Sequence, residues 1–283
     1  MSNPENKVML AVLAHPDDET FGMGGTLAVY ARRGVEVHLI CATRGEVGEV
    51  DEKYLRGFNS IAERREAELR CAAEYLGLKA VHFLDYRDSG MPGSPDNQHP
   101  NALAAADLDQ VAAKVAHHIR LLKPQIVLTF DPIGGYRHPD HIAIHNATVK
   151  AFQAASDPQQ YPDGLPGWQP AKLYYHVMPH GILRLAVKLM PLFGKDPRKF
   201  GRNGDIDLAS IAEVSYPVHA RIDYRPLVKI REETSACHES QGGRSTGGIL
   251  RYILGWFTAQ DLFMRAYPAD APRRKERDLF AGI

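Results

Sequence analysis

The sequence predicts an α/β protein, a Rossmann-like doubly wound and mostly parallel sheet with a smaller C-terminal α/β portion packed on it. Three observations predict it. Short, almost continuous apolar runs recur at 7–14, 35–42, 80–84 and 125–130, as strands buried on both faces require. Helix-like stretches at 26–33, 61–76 and 107–122 lie between them, and the last two stop at Gly77 and before Pro124. The strand-helix alternation then persists over residues 7–155, which is the pattern of a parallel sheet with crossover helices.

Taken in order, 7–14 is the first strand, 26–33 the first helix and 35–42 the second strand. Residues 61–76 and 107–122 carry apolar residues at three- and four-residue spacing and read as helices on either side of strand 80–84. After strand 125–130, Pro139 suits the first position of a helix reaching about Ala155. Residues 172–178 add a further strand. From about residue 156 the pattern loosens into a Pro- and Gly-rich stretch, a basic amphipathic piece at 182–199, a strand-like 214–222 and helix-like 226–239 and 248–265. The expected organisation is one domain over 1–283: a metal-bearing core at 1–155 and a part at 156–283 that shapes the substrate pocket.

Composition narrows the function. The 283 residues carry 34 Lys and Arg against 34 Asp and Glu, a formal net charge of zero. Nucleic-acid binding and attraction to an anionic membrane both need a cationic excess, so the overall balance points to neither and no nucleic-acid partner is expected. No apolar run approaches the roughly 20 residues of a spanning helix, and the N-terminus lacks a secretory pattern, so a cytoplasmic protein without a transmembrane segment is expected. Cys41, Cys71 and Cys237 are too few and scattered for a disulfide framework or a CxxC metal site. They read as core filler in a reducing compartment. The 13 histidines are the feature that asks for a chemical explanation.

Two segments supply it. Ala14-His15-Pro16-Asp17-Asp18-Glu19 follows the first strand, and Tyr136-Arg137-His138-Pro139-Asp140-His141 follows strand 125–130. Both therefore sit beyond the carboxyl ends of parallel strands, where open α/β sheets bind ligands. Adjacent carboxylates beside an imidazole are costly unless a cation is shared among them, although an Asp before a helix also serves as a plain cap. His15 and Asp18 can reach one ion across a turn, leaving Asp17 free to act on water, and His141 can join them from the second loop. Three N and O ligands with an open position describe a catalytic rather than a structural zinc site. The glycines at Gly22, Gly24 and Gly25 suggest a nucleotide-binding oxidoreductase, but the sixth fingerprint position is Leu27 and the acidic loop would repel a pyrophosphate.

These residues resemble the LmbE-like, or PIG-L-like, metal-dependent N-deacetylases, whose signatures are the AHPDDE loop and a later HPDH. Further matches run in order: Gly24-Gly25-Thr26, Thr43-Arg44-Gly45-Glu46, Arg65 to Leu69 as RxxEL, Arg87-Asp88-Ser89-Gly90-Met91, and His238-Glu239-Ser240-Gln241. The resemblance implies removal of an acetyl group from an N-acetylglucosamine-containing small molecule. It assigns the metal, zinc or another divalent ion such as Fe2+, to His15, Asp18 and His141. Asp17 would take the proton of the attacking water and pass it to the departing amine. His138, protonated and steadied by Asp140, would stabilise the oxyanion, with Tyr136 as a further donor. This chain has Arg137 where relatives with that tyrosine carry Gly. Arg65 and Asp88 would bind the sugar. For Arg65 the plain alternative is an exposed helix charge paired with Glu63 or Glu68; for His238 it is a surface histidine. Within the family, an amidase acting on larger thiol-conjugate amides and a non-catalytic sugar binder stand as alternatives. The 182–199 segment fits a lid, a homo-oligomer contact or a membrane-surface helix, and overall neutrality favours the first two.

Overall fold

The computed structural model of the chain describes residues 6–178, 180–200, 204, 206–243, 259–270, 272 and 274–283. Its strands β1 (Val8–Leu13), β2 (Glu36–Cys41), β3 (Ala80–Phe83), β4 (Ile126–Thr129), β5 (Lys172–His176), β6 (Ala220–Asp223) and β7 (Gln260–Tyr267) form one seven-stranded sheet in the order β3-β2-β1-β4-β5-β7-β6. Strands β3, β2, β1, β4 and β5 are parallel neighbours, while β7 runs antiparallel to both β5 and β6. Every residue of β1 is buried, as expected for a central strand covered on both faces.

The helices are α1 (Asp18–Arg32), α2 (Ile61–Leu76), α3 (Leu108–Leu122), α4 (Gly134–Arg137), α5 (Pro139–Ala154), α6 (His180–Leu189), α7 (Leu208–Glu213) and α8 (Val228–Cys237). Local chemistry sets several ends. Ser60 caps α2 by accepting from Glu63 N, and Gly77 closes it in the left-handed conformation. Asp107 caps α3 in the same way, and Pro139 opens α5. Among the described residues no helix is long and apolar enough to cross a membrane.

Three expectations are corrected. The first helix begins at Asp18 rather than 26, so the acidic loop runs straight into α1, and Asp18 and Glu19 occupy the helix turn that favours negative charge. Gly22, Gly24 and Gly25 therefore lie inside a helix, with Gly25 against the Tyr224 ring, and form no phosphate loop. The strand expected at 214–222 shrinks to Ala220–Asp223. Where 248–265 suggests a helix, Gln260–Tyr267 is a strand, because β5 and β6 offer backbone partners on both of its edges; residues 248–258 lie outside the described residues.

The cysteines also differ from expectation. Cys41 is a buried free thiol, but Cys71 on α2 and Cys237 at the end of α8 form a disulfide across 166 residues. Residues too far apart in sequence to suggest pairing are neighbours because α2 packs on α8. The core beneath is continuous, running from Met9 and Leu10 in β1 to Phe263 in β7 and Phe280 near the C-terminus.

Candidate active site

In strand order the chain reverses direction between β1 and β4, and the loops leaving these two strands border one crevice. The loop after β1 carries His15, Asp17 and Asp18; the segment after β4 carries α4, His138 and, on α5, His141. Asp131 shapes the second segment by accepting backbone N–H groups from Ile133 and Gly135. Gly134 has a positive φ of 66°, and a Cβ there would meet the His141 Cβ at 2.8 Å, so only glycine lets this turn approach α5. Arg137 takes φ 68°, the region that favours glycine, and its guanidinium is anchored on Ser210 Oγ and O at 3.1 Å each.

The two loops converge on His15, Asp18 and His141. His15 Nδ1 lies 3.2 Å from His141 Nε2, which lies 3.2 Å from Asp18 Oδ1; Asp18 Oδ2 is 3.6 Å from His15 Nδ1. The outer nitrogens fix the ring roles. His141 Nδ1 faces the Gly134 carbonyl at 3.2 Å and His15 Nε2 faces the Asp140 carboxylate at 3.0 Å, so each donates outward. In the neutral rings the facing nitrogens are then both lone pairs, beside a carboxylate. Such a triangle of acceptors repels itself unless a cation sits among them, and its edges match the roughly 3.3 Å separation of ligands around a tetrahedral zinc. The donor set thus fits a divalent metal. His138 also brings a ring nitrogen within 4.8 Å of those of His15 and His141.

The surrounding charges express the same demand. Burial opposes a proton on His15, but the carboxylates of Asp88, Asp140 and Asp18 outweigh it and raise its affinity well above the usual imidazole value. Burial likewise raises Asp18, yet the two histidines hold it well below the ordinary carboxylate range. Asp18 Oδ2 is fixed by the backbone N–H groups of His15 and Ala14 at 2.7 and 3.2 Å. Its other oxygen is left facing His141.

His138 differs from the protonated histidine expected. Its Nδ1 caps α5 by accepting the Asp140 N–H at 3.2 Å, which leaves Nε2 to carry the proton. Burial, with repulsion from His15 and His141, pushes its pKa down to about 2, so the ring is neutral. The Asp140 carboxylate does not steady His138. It accepts from Ser89 N at 2.9 Å and from Ser89 Oγ, and it orients His15. Asp140 reaches His15 because the first turn of α5 directs its side chain away from the capping ring.

Asp17 sits at φ 125°, a backbone conformation that L-residues rarely adopt. Its N–H donates to Glu19 Oε2 at 2.9 Å, and its carboxylate accepts from Arg65 Nη2 at 3.1 Å. Burial raises its pKa to about 6; Arg65 opposes the rise and Asp18 adds to it. Arg65 is a buried side chain, only 4% exposed, that also donates to the carbonyls of Pro16 and Gly45. The exposed helix charge is therefore excluded for Arg65. Gly45, at φ 67°, is required beneath it, since a Cβ there would lie 2.0 Å from Nη1.

Two contributions escaped the sequence reading. Glu19 Oε1 accepts from His238 Nε2 at 2.7 Å, so a buried histidine from the far end of the chain braces the carboxylate that holds Asp17. His238 is no surface histidine. Burial disfavours its charge, but Glu19 outweighs burial and raises its pKa. Ser89 is the second, and only its place in the RDSGM match pointed to it. A cleft of about 620 Å3 opens over these groups, and its lining includes His15, Asp17, Arg65, Asp88, Tyr136 and His138 together with Ser240 to Gly242. Asp88 Oδ1 lies 3.5 Å from His15 Nε2, and Tyr136 packs edge-on against His141. The arrangement offers a basic carboxylate, a neutral imidazole donor and a cation site on one polar pocket wall, which suits hydrolysis of a polarised carbonyl.

Comparison with known proteins agrees. Residues 10–152 match the family PIG-L, described as GlcNAc-PI de-N-acetylase. The 1D-myo-inositol 2-acetamido-2-deoxy-alpha-D-glucopyranoside deacetylase of Geodermatophilus obscurus is 37% identical over 242 residues, covering 82% of each chain. That of Thermobifida fusca is 36% identical over 96% of this chain and 98% of its own. Among solved structures, the N,N'-diacetylchitobiose deacetylase of Pyrococcus horikoshii aligns over 92% of this chain and 84% of its own, with TM-score 0.53 and 21% identity. A 4-carboxy-2-hydroxymuconate hydratase from Pseudomonas putida aligns with TM-score 0.60 and 19% identity, over 94% and 98%. The fold is thus shared by more than one chemistry, and the reaction has to be argued from the site.

Proposed function

The chain belongs to the PIG-L family of GlcNAc-PI de-N-acetylases, and from that premise we propose how it works and on what. It is a hydrolase of amide bonds that removes the acetyl group from a GlcNAc-containing small molecule. The substrate we propose is the N-acetyl-α-glucosaminide of inositol, because full-length relatives above one-third identity are named for deacetylating it. The parts at 1–155 and 156–283 act as one unit, since strands from both lie in one sheet and His238 reaches Glu19.

The observation that carries the reading is the triangle of His15, Asp18 and His141 with Asp17 beside it. We assign the metal, zinc by its N and O donors, to those three residues. When bound there, a divalent cation supplies Lewis-acid polarisation and lowers the pKa of water. Asp17 accepts the proton of the attacking water and later delivers it to the departing amine, for which a carboxylate lifted to about 6 is well matched. Arg65 and Glu19 hold Asp17 in its unusual backbone conformation. His138 Nε2–H donates to the carbonyl oxygen as charge grows on it, and Tyr136 offers a second donor from the same wall. Asp88 and the Arg65 edge of the cleft meet the sugar hydroxyls.

The test is acetate release from the N-acetylglucosaminyl inositol, set against N-acetylglucosamine alone and a larger thiol-conjugate amide. Preference for the inositol glycoside, with loss of turnover in Asp17→Asn, is the expected result. Undiminished turnover by Asp17→Asn refutes the assignment of the base.

A further inference from the structure

Residues 180–200 form a ridge that the chemistry above does not use. The helix α6 and the turn at Met190–Phe193 carry two apolar stripes. Leu183, Ala186, Val187 and Met190 are half-buried, on the side where α6 packs on α7. Leu185, Leu189, Leu192 and Phe193, at i, i+4, i+7 and i+8, face outward instead, and Leu192 and Phe193 are each 77% exposed. Phe200 is a further exposed apolar side chain at the end of the same segment. A monomer gains nothing from exposing such a stripe, so it marks a contact surface.

Its charge selects the partner. Residues 184–200 hold Arg184, Lys188, Lys195, Arg198 and Lys199 against the single acid Asp196. Arg184 donates to the Ala212 carbonyl at 2.9 Å, and Asp196 is occupied by the Arg198 N–H at 2.9 Å. Lys188, Lys195, Arg198 and Lys199 are exposed and have no ion pair among the described residues. A two-fold contact built on this ridge would bring two patches of the same positive sign together, with Asp196 the one acid of each segment. Outward apolar side chains flanked by lysines instead match the boundary of an anionic bilayer, where the rings and leucines enter the acyl region and the ammonium groups meet phosphates.

We propose that the ridge from Leu185 to Phe200 docks this protein on the surface of an anionic lipid bilayer. The active cleft is close by in the chain of contacts: α6 packs on α7, and Ser210 of α7 holds Arg137 next to His138. Net charge of the whole chain is zero, so the attraction is local to this ridge and is screened by salt.

Sedimentation of the full chain with vesicles tests it, using phosphatidylcholine alone and phosphatidylcholine with about a third phosphatidylglycerol. The protein is expected to pellet with the anionic vesicles at low salt and to remain in solution with the neutral ones. Leu192→Ser with Phe193→Ser, and separately Lys195→Glu with Lys199→Glu, should each weaken binding on the order of tenfold or more. Deacetylation of a soluble substrate and the thermal midpoint should stay unchanged, which separates a docking role from damage to the fold. Equal binding to both vesicle types, no binding, or binding indifferent to these substitutions overturns the proposal. So does a dimer in light scattering that Leu192→Ser with Phe193→Ser dissociates, since the ridge would then be a self-association surface.

Discussion

Replacing Arg65 by Gln isolates what the buried guanidinium does for Asp17. The two groups approach to 3.1 Å, and burial alone drives Asp17 upward while Arg65 pulls it back to about 6. Opposite charges about 4 Å apart interact by about 1 kcal/mol in a water-like medium and about 4 kcal/mol at the effective dielectric of a protein surface. That range corresponds to about one to three pH units. A base must be ionised to work, so activity rises with pH through its pKa. The acid limb of kcat/KM in Arg65→Gln should therefore move upward by about one to three units. The activity missing at neutral pH should be largely recovered at higher pH. Arg65→Lys keeps the charge and should move the limb less. Weaker sugar binding in the variant would lower kcat/KM equally at all pH values, so the profile separates the two roles of Arg65. An acid limb at the same pH in wild type and Arg65→Gln would refute the electrostatic argument.

Other outcomes follow from neighbouring features. Asp18→Ala should lose most of its bound metal by elemental analysis and essentially all turnover, because it removes one corner of the donor triangle. Glu19→Gln should lower kcat by roughly ten- to a hundredfold with KM little changed, since it disturbs the support of Asp17 and strands buried His238; steady-state kinetics decide. Asp261 is buried, receives Thr26 N and Oγ1 at 2.7 Å each, and burial lifts its pKa to about 6. The folded state therefore binds its proton more tightly than the unfolded chain, so stability falls as pH rises from about 4 to about 6 and stays reduced above. Asp261→Asn should then be up to about 3 kcal/mol more stable than wild type at pH 8 and nearly equal at pH 4, by thermal or denaturant unfolding. Finally, thiol titration of the denatured chain should find Cys41 alone without reductant and all three cysteines with it.

The parallel half of the sheet was legible because β1, β2 and β4 are buried on both faces and read as apolar runs. The convergence of His15, Asp18 and His141 was legible for a related reason: they lie in two short segments just beyond strands that topology makes neighbours. What escaped depends on long-range contact. Nothing around Gln260–Tyr267 announces a strand until β5 and β6 stand on either side of it. Cys71 and Cys237 are paired only by the packing of α2 on α8. The first turn of α5 gives Asp140 to His15 rather than to His138, a matter of side-chain direction that residue order does not encode.

The tie between Glu19 and His238 spans 219 positions, and that between Thr26 and Asp261 spans 235. During synthesis His15, Asp18 and His141 all leave the ribosome well before either late partner. A nascent chain that has reached α5 already owns every corner of the donor triangle, whereas the brace on Glu19, and through it the posture of Asp17, arrives nearly a hundred residues later. The donor triangle and the brace on Asp17 are thus supplied by parts of the chain made at different times.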